Sequence, residues 1–243
     1  MRDWICGFFM AWGMFLAIPC PRKIWSESAR QKMLVCMPLV GLLAGGVWAG
    51  AWLLLRGAPG PVRAAVCAAA PWLVTGFMHL DGYMDVCDAV LSRRDLATRQ
   101  RILKDSHCGA FAVICMVLLA MGQWSLFLAA EDVSWLALLL IPAATRACAG
   151  LAVLGLRPMG TSQYAAMGPA RGGYGAALWV LLALSVGLPL WLDGSFGPLA
   201  AAVGYGLAVW YGFRNLDGMS GDISGFALTI GELCGCGAAI LWR

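Results

Sequence analysis

Seven long apolar stretches, separated by shorter polar segments, dominate the pattern of residues along the chain. They cover residues 33–55, 61–79, 108–130, 134–155, 174–192, 196–213 and 223–242. A helix needs about 20 consecutive apolar residues to cross a bilayer, and each stretch is close to that length. The pattern predicts an all-α fold, a polytopic helical bundle with about seven transmembrane helices.

An eighth apolar run, residues 4–18, is shorter and is followed by Pro19 and Pro21. It could lie in the membrane interface, re-enter the membrane or span it. The run resembles a signal peptide, but little positive charge precedes it and no small-residue cleavage site comes before the basic PRK segment. We therefore expect this run to be retained in the protein.

The composition supports a membrane protein, because 61% of the 243 residues are hydrophobic and only 12% are charged. Soluble domains carry about 25% charged residues. The ten cysteines lie mostly singly inside apolar runs and lack C-x2-C spacing. We expect them to be reduced packing residues rather than disulfide partners or zinc ligands. We expect one membrane-embedded domain, residues 1–243.

Positive charge is concentrated on one side of the predicted membrane. Four loops fall on that side, residues 19–32, 80–107, 156–173 and 214–222. Their twelve basic residues are Arg22, Lys23, Arg30, Lys32, Arg93, Arg94, Arg99, Arg101, Lys104, Arg157, Arg171 and Arg214. The opposite side carries only Arg56, Arg63 and Arg243. Because cytoplasmic loops are enriched in Lys and Arg, we expect the four loops to face the cytoplasm of a bacterial inner membrane.

Three aspartates stand close together in the segment HLDGYMDVCD, residues 79–88. In a helix, Asp81, Asp85 and Asp88 share one face, because they are spaced at i, i+4 and i+7. Like charges at that spacing repel, and a divalent cation between them would offset the repulsion. Mg²⁺ prefers oxygen ligands and often shares its coordination shell with substrate phosphates. The pattern therefore indicates a magnesium site, and a solvated acidic helix face is the structural alternative.

A second polar segment, NLDGMSGD at residues 215–222, lies on the same side of the membrane. It offers Asn215, Asp217 and Asp222 as candidate substrate or metal ligands. Asp217 and Asp222 do not share a helical face, and the glycines near them suggest a turn that enters a helix. Ser220 or Asp222 could cap that helix, which is the structural alternative for Asp222.

Two charged residues, Arg146 and Glu232, lie deep inside apolar stretches. A charge at that depth needs a partner or a wet cavity. The two residues could form a structural ion pair. Alternatively, Arg146 could face a polar cavity and bind an anion, since a guanidinium suits bidentate contact with phosphate.

The loop at residues 92–107 carries five basic residues beside the acidic segment. Attraction to anionic lipid headgroups would explain most of them. Lys104 is the candidate for binding substrate, because it adjoins Asp105 and Ser106.

The two histidines, His79 and His107, bracket this region of the chain. Either could transfer a proton near neutral pH, because the ordinary pKa of histidine is about 6.5. A structural role is the alternative for each.

Taken together, these segments resemble the cobalamin synthase family, the adenosylcobinamide-GDP ribazoletransferases. The most specific part is HLDGYMDVCDAVLSRRDLATRQRILKDSHCGAFAV, which is similar to the family pattern H-x-D-G-x-x-D-x-x-D followed by K-D-S-x-x-G. The segments GFFMAWGMFLAIPCP, MPLVGLLAGG, TRACAGLAVLGLRPMG and NLDGMSGDISGFALTIGEL also resemble the family. The resemblance covers nearly the whole chain.

The resemblance implies a late step of vitamin B12 biosynthesis with Mg²⁺ as the cofactor. A ribose hydroxyl of α-ribazole, or of its 5′-phosphate, would attack the cobinamide-side phosphorus of adenosylcobinamide-GDP, and GMP would leave. The active site would be built mainly from residues 79–107 and 214–222.

Phosphoryl transfer needs positioning and neutralisation of charge, which suggests roles for individual residues. Asp81, Asp85 and Asp88 would hold Mg²⁺, and Asp217 and Asp222 would complete a second metal site or orient the nucleophile. His79 or one of the aspartates would accept the hydroxyl proton. Lys104 and Arg146 would steady the leaving phosphate, with Asp105, Ser106, Asn215, Asp217 and Glu232 as further substrate contacts.

The expected partners are the two substrates and the lipid bilayer, with no nucleic acid. Other enzymes of the corrinoid pathway, or a second copy of the chain, are further candidates. The alternative class is another intramembrane Mg²⁺-dependent transferase, of the CDP-alcohol phosphotransferase or prenyltransferase type. A transporter that uses Arg146 and Glu232 as an ion relay is a second alternative, although the chain shows no repeat symmetry.

Overall fold

The computed structural model describes residues 2–160, 162, 164 and 172–242. These residues form ten α-helices and no β-strand, which confirms the predicted all-α fold. The helices are α1 (Arg2–Phe15), α2 (Arg30–Leu54), α3 (Gly60–Val74), α4 (Met78–Leu91), α5 (Leu96–Ile102), α6 (Ala110–Ala129), α7 (Trp135–Gly155), α8 (Tyr174–Asp193), α9 (Gly197–Leu216) and α10 (Gly221–Leu241). A short 3₁₀ turn, Glu27–Ala29, leads into α2. Arg171 and Arg243, which entered the charge comparison, lie outside the described residues.

Each of the seven apolar stretches contains a helix, but not every helix is a complete span. Among the described residues, α2 with its leading turn, α6, α7, α8 and α10 are long and apolar enough to cross a membrane. Helix α9 has 20 residues but is not among these candidate spans. The chain is thus a multi-pass helical membrane protein with five candidate spans, or six if α3 and α4 together form one.

The predicted uninterrupted helix at residues 61–79 is wrong. Helix α3 ends at Val74, α4 begins at Met78, and the two helices are bent by 91°. The break is made by Gly76 and Phe77, whose φ angles of 62° and 63° are left-handed and cannot continue a right-handed helix. The bend turns α4, which carries the aspartates, away from the axis of α3.

Helix α1 has 14 residues and is not among the candidate spans. At a rise of about 1.5 Å per residue it is roughly 21 Å long, which is shorter than the hydrocarbon core of about 30 Å. It packs against α2, and Lys32 Nζ forms an ion pair of 2.6 Å with Asp3 Oδ2. The short length excludes a complete crossing by α1 as a straight helix.

The two largest of the four apolar clusters among the described residues lie in different parts of the bundle. Trp48 and Trp52 of α2 bury against Phe127 of α6 in one cluster. In the other, Tyr83 of α4 stacks on Phe226 of α10 with their ring centroids 5.7 Å apart. All ten cysteines are free thiols; Cys36, Cys67, Cys87 and Cys236 are buried, whereas Cys108 and Cys234 are exposed.

The polar segments predicted to share one side of the membrane do meet at one end of the bundle. Arg99 Nη1 of α5 donates to Asn215 Oδ1 of α9 at 3.0 Å, and Arg157 Nη2 donates to Asp217 Oδ1. At the opposite end, Arg56 lies 3.6 Å from Asp132. The tertiary structure therefore gathers the acidic and basic segments into one region.

Candidate active site

Asp81, Asp85 and Asp88 lie on α4, as their spacing predicts, and are called the acidic stripe below. Asp81 is exposed, whereas Asp85 and Asp88 are half-buried, and the opposite face of α4 is buried in the bundle. Asp85 lies within electrostatic range of Asp81, Asp88 and, from α10, Asp222. The structure thus brings a fourth carboxylate, distant in sequence, to the stripe.

Asp222 is not the cap of α10. Ser220 is the N-cap, and its Oγ accepts a hydrogen bond of 3.3 Å from the backbone N–H of Ile223. The Asp222 carboxylate accepts a hydrogen bond from the same hydroxyl at 3.4 Å, and its backbone lies against Gly82 of α4. Ser220 therefore caps α10 in place of Asp222, and the Asp222 carboxylate lies beside the acidic stripe.

Asp88 has a structural role at the start of α6. Its Oδ2 accepts from the backbone N–H of Gly109 at 2.6 Å, and its Oδ1 accepts from the backbone N–H of Ala112 at 3.0 Å. The first N–H groups of a helix have no partner within the helix, so Asp88 caps α6 from another element. A Cβ at residue 109 would lie 2.6 Å from the Asp88 carboxylate, which explains the glycine there.

The carboxylate oxygens at the stripe suit a hard cation, although they do not form a complete coordination shell. Among the described residues, no group of three or more His, Cys, Asp or Glu is arranged to hold one metal ion. Mg²⁺ is usually bound through one or two carboxylates, with waters and substrate phosphates completing its shell. Asp81, Asp85 and Asp222 offer such oxygens, whereas both oxygens of Asp88 already accept backbone hydrogen bonds.

Two cavities meet at Asp81, which lines both of them. The first cavity has a volume of about 310 Å³ and lies between α1, α2, α4 and α10. Its wall includes His79, Asp81 and Asp222 together with methionine and aromatic side chains. The second cavity, of about 300 Å³, lies between the acidic stripe and the segment that follows α5.

The second cavity combines the acidic stripe with the predicted substrate-binding segment. Its wall contains Asp85, Asp88, Lys104, Asp105, Ser106 and His107. Lys104 is exposed and its ammonium forms no ion pair with the described residues. The structure therefore places Lys104, Asp105 and Ser106 beside the aspartates, where a phosphate group could reach both.

His107 is bound to Asp105 rather than to the stripe. Its Nδ1 lies 2.6 Å from Asp105 Oδ1, and its backbone N–H donates to the same oxygen at 3.0 Å. The hydrogen bond from the His107 ring, followed by that from its backbone, lowers the pKa of Asp105 below its ordinary value. Asp105 is therefore a carboxylate near neutral pH.

Arg146 and Glu232 form a buried ion pair, which was one of the two roles that the sequence left open for Arg146. Arg146 Nη1 lies 2.7 Å from Glu232 Oε1, and their side chains are 1% and 6% exposed. The same nitrogen donates to the carbonyl of Pro142 at 3.1 Å. Neither residue lines the two cavities, so the predicted contacts of Arg146 and Glu232 with substrate stay predictions.

His79 lies between the ion pair and the first cavity. It is buried, lines the cavity and is close enough to Arg146 for electrostatic interaction. Its backbone carbonyl accepts from Thr229 Oγ1 of α10 at 3.3 Å, which fixes this end of α4 against α10.

Asn215 and Asp217 lie at the same end of the bundle but outside the two cavities. The Asn215 amide bonds to Arg99 and to the carbonyl of Tyr211, so it joins α5 to α9. Asp217 ends α9 in a left-handed conformation and pairs with Arg157. Their predicted roles in binding substrate or metal therefore stay predictions.

Sequence reasoning missed the contribution of the residues around the start of α2. Arg30 and Trp25 line the first cavity, as does Tyr164. The sequence identifies Arg30 only as a cytoplasmic charge, because no local pattern separates a basic residue that faces a cavity from one that faces lipid headgroups. Only the tertiary structure, in which the first cavity lies between α1, α2, α4 and α10, reveals its position.

The fold and the site define a multi-pass helical membrane protein whose acidic and basic side chains meet in two adjoining cavities at one end of the bundle. Residues 7–240 match the family model described as cobalamin-5-phosphate synthase. The chain belongs to this family, which confirms the resemblance carried by the aspartate motif.

Curated relatives agree with the family match. A protein of Clostridium botulinum (strain Alaska E43 / Type E3) is 32% identical, with all of each chain covered. A protein of Ralstonia nicotianae is 34% identical over all of this chain and 97% of its own, and one of Halalkalibacterium halodurans is 39% identical over 60% and 58%. Each of the three is named adenosylcobinamide-GDP ribazoletransferase. No solved structure matches the chain.

Proposed function

We propose that this protein is an adenosylcobinamide-GDP ribazoletransferase, which joins adenosylcobinamide-GDP to α-ribazole or its 5′-phosphate and releases GMP. The observation that carries the proposal is the position of Asp81 at the boundary of two cavities. A transferase must bring two substrates to one reacting phosphorus. Two cavities that share a carboxylate allow each substrate to approach from its own side.

The reaction is a phosphoryl transfer, for which positioning and neutralisation of charge matter more than covalent help from the protein. A ribose hydroxyl oxygen bonds to the cobinamide-side phosphorus. The bond from that phosphorus to the bridging oxygen breaks, and GMP leaves with that oxygen and the bonding electrons. The hydroxyl proton passes to a base.

The residues of the two cavities supply the groups that this step needs. Lys104, in the second cavity, would bind the departing GMP phosphate, since a free ammonium attracts the growing negative charge. Asp81 would accept the hydroxyl proton, because it alone among the stripe residues lines both cavities. His79, in the wall of the first cavity, is the second candidate base.

Asp85 and Asp222 would hold Mg²⁺, because their carboxylates lie within electrostatic range of each other and Mg²⁺ is usually bound through one or two carboxylates. When bound, the cation would offset the negative charge of the diphosphate. Asp88 would contribute chiefly by fixing the N-terminus of α6 beside the second cavity.

We further propose that the active site faces the cytoplasm of the bacterial inner membrane. Arg99 and Arg157, two basic residues of the four loops, lie at the polar end of the bundle, where their side chains bond to Asn215 and Asp217. An excess of Lys and Arg marks cytoplasmic segments.

The test is release of GMP from adenosylcobinamide-GDP and α-ribazole by membranes that contain the protein. Activity should require Mg²⁺, stop with EDTA and fall at least about a hundredfold in Asp85→Asn, as for the loss of a group that stabilises charge in the transition state. Asp193→Asn, at the opposite end of the bundle, is the matched control and should retain activity.

Two other results would change the metal assignment or contradict the proposed function. Full activity of Asp85→Asn would exclude Asp85 as a metal ligand while keeping the enzyme. Well-folded wild-type protein that releases no GMP would contradict the transferase, and a lipid phosphotransferase assay would then test the alternative class.

A further inference from the structure

The first cavity has two chemically different walls. One wall is apolar, formed by Met14, Phe15, Trp25, Met33, Met37 and Met78. Flexible thioethers and flat rings pack well against an aromatic ring system. The other wall carries the carboxylates of Asp81 and Asp222. The cavity therefore suits a ligand with a flat apolar part and a polar part.

The volume limits what can enter. About 310 Å³ lies at the lower end of the range of small-molecule sites, which runs from about 300 to 1,000 Å³. One nucleoside fills a space of this size, whereas a corrin ring with its side chains is several times larger. The ribazole acceptor and the guanosine end of the corrinoid nucleotide are both a bicyclic base on a ribose, but the ribazole base has fewer polar groups than guanine and suits the apolar wall better.

Arg30 adds a cation at the edge of this cavity. Its Nη1 lies 3.1 Å from Glu27 Oε2, and its side chain is 18% exposed. Its Nε is buried and has no hydrogen-bond partner among the described residues. A buried donor without a partner is costly, and a guanidinium has the geometry to bind a phosphate. The exposed part of the Arg30 side chain lines the cavity, where a ligand phosphate could bind the guanidinium.

The charges of the cavity come from different elements. Arg30 belongs to α2, whereas Asp81 belongs to α4 and Asp222 to α10. A nucleotide can therefore place its phosphate at the cation and a ribose hydroxyl toward the carboxylates. Asp81 is also the boundary with the second cavity, where the reacting diphosphate would lie.

We propose that the first cavity is the acceptor subsite, which holds the base of ribazole 5′-phosphate on its apolar wall and the 5′-phosphate at Arg30. The inference rests on the proposed transferase function and deepens it. It assigns the phosphate of the acceptor to Arg30 rather than to a residue of the second cavity, and it leaves the corrin ring outside the first cavity.

The experiment uses full-length protein in nanodiscs and compares α-ribazole with its 5′-phosphate. Binding of each acceptor is measured by calorimetry without the corrinoid nucleotide, and kcat and KM are measured with it. The variants are Arg30→Gln and Trp25→Ala. Arg94→Gln is the matched control, since Arg94 is exposed, lies on the same side and lines neither cavity.

We expect Arg30→Gln to weaken binding of the 5′-phosphate by about 10- to 100-fold and to raise its KM equally, the loss typical of a charge-assisted hydrogen bond. Its kcat, and its binding of unphosphorylated α-ribazole, should be unchanged, which also shows that the variant is folded. Trp25→Ala should weaken both acceptors alike, and Arg94→Gln should change neither.

Other outcomes distinguish a failure of the transferase function from a failure of the acceptor subsite. If wild-type protein releases no GMP with either acceptor, the transferase function itself fails. If the enzyme is active but Arg30→Gln affects both acceptors equally, or neither, the subsite is overturned. An equal loss in Arg94→Gln would overturn the subsite too, because general attraction by surface charge would then explain the effect of Arg30→Gln.

Discussion

The backbone of Asp222 lies directly against Gly82, where α10 crosses α4. A Cβ at residue 82 would lie 2.8 Å from the carbonyl oxygen of Asp222 and 2.9 Å from its Cα. This close approach brings the Asp222 carboxylate into electrostatic range of Asp81 and Asp85. The acidic site is thus assembled from two helices because one of them lacks a side chain at the crossing.

Gly82→Ala should separate α4 from α10 and lower both stability and activity. The added methyl group meets backbone atoms, which cannot rotate away, so we expect a loss of about 1–3 kcal/mol in the free energy of unfolding. Thermal unfolding in detergent and GMP release would measure the two effects. Gly122→Ala is the control, since a Cβ there has no atom within 4 Å. Equal unfolding temperatures for both variants would contradict the tight crossing.

Asp88→Ala should destabilise the protein more than Asp85→Ala does. The change at residue 88 leaves the backbone N–H groups of Gly109 and Ala112 without their acceptor. An unsatisfied buried donor costs about 1–3 kcal/mol, and partial access to water reduces the loss. Hydrogen exchange at the start of α6, together with the unfolding temperature, would measure the effect.

The activities of the same two variants provide the contrast. We expect Asp85→Ala to unfold near the wild-type temperature while its Mg²⁺-dependent activity is lost. A fully stable Asp88→Ala would remove the capping role and return Asp88 to the set of candidate metal ligands.

Breaking the pair of Arg146 and Glu232 on one side should be costly. A single substitution, Arg146→Met or Glu232→Gln, leaves a buried charge or donor without its partner, a loss of about 3–5 kcal/mol. The double variant should recover much of that loss, because neither side chain then carries a buried charge. The unfolding temperatures of the four proteins form a double-mutant cycle.

The activity of the double variant then decides the role of Arg146. Recovered GMP release would show that the pair is structural. A stable double variant without activity would instead support the predicted contact between Arg146 and substrate phosphate.

Lys104→Gln should lower kcat/KM by about 10-fold or more, as expected for a charge-assisted hydrogen bond to a phosphate. The unfolding temperature should be unchanged, because Lys104 is exposed and makes no ion pair with the described residues. Arg101→Gln, an exposed cation on the same segment that lines neither cavity, should leave kcat/KM intact. Equal losses for both variants would point to the overall positive charge of the segment.

The sequence by itself determined the features that depend on local geometry and solvent. Long apolar runs require helices in a membrane, because the backbone polar groups must be satisfied without water. The spacing of Asp81, Asp85 and Asp88 placed them on one face of α4, since helical periodicity is a property of a single element. The segment from Lys104 to Ser106 was recognised beside them because it follows shortly in the chain.

Only the tertiary structure decided which helix faces meet. In a membrane most helix faces are apolar, so hydrophobic pattern does not specify the partner of a given face. The pairing of Arg146 with Glu232, the capping of α6 by Asp88 and the entry of Arg30 into a cavity all join residues far apart in sequence. The sequence supplied the charged groups, and helix packing decided which became structural partners and which line the cavities.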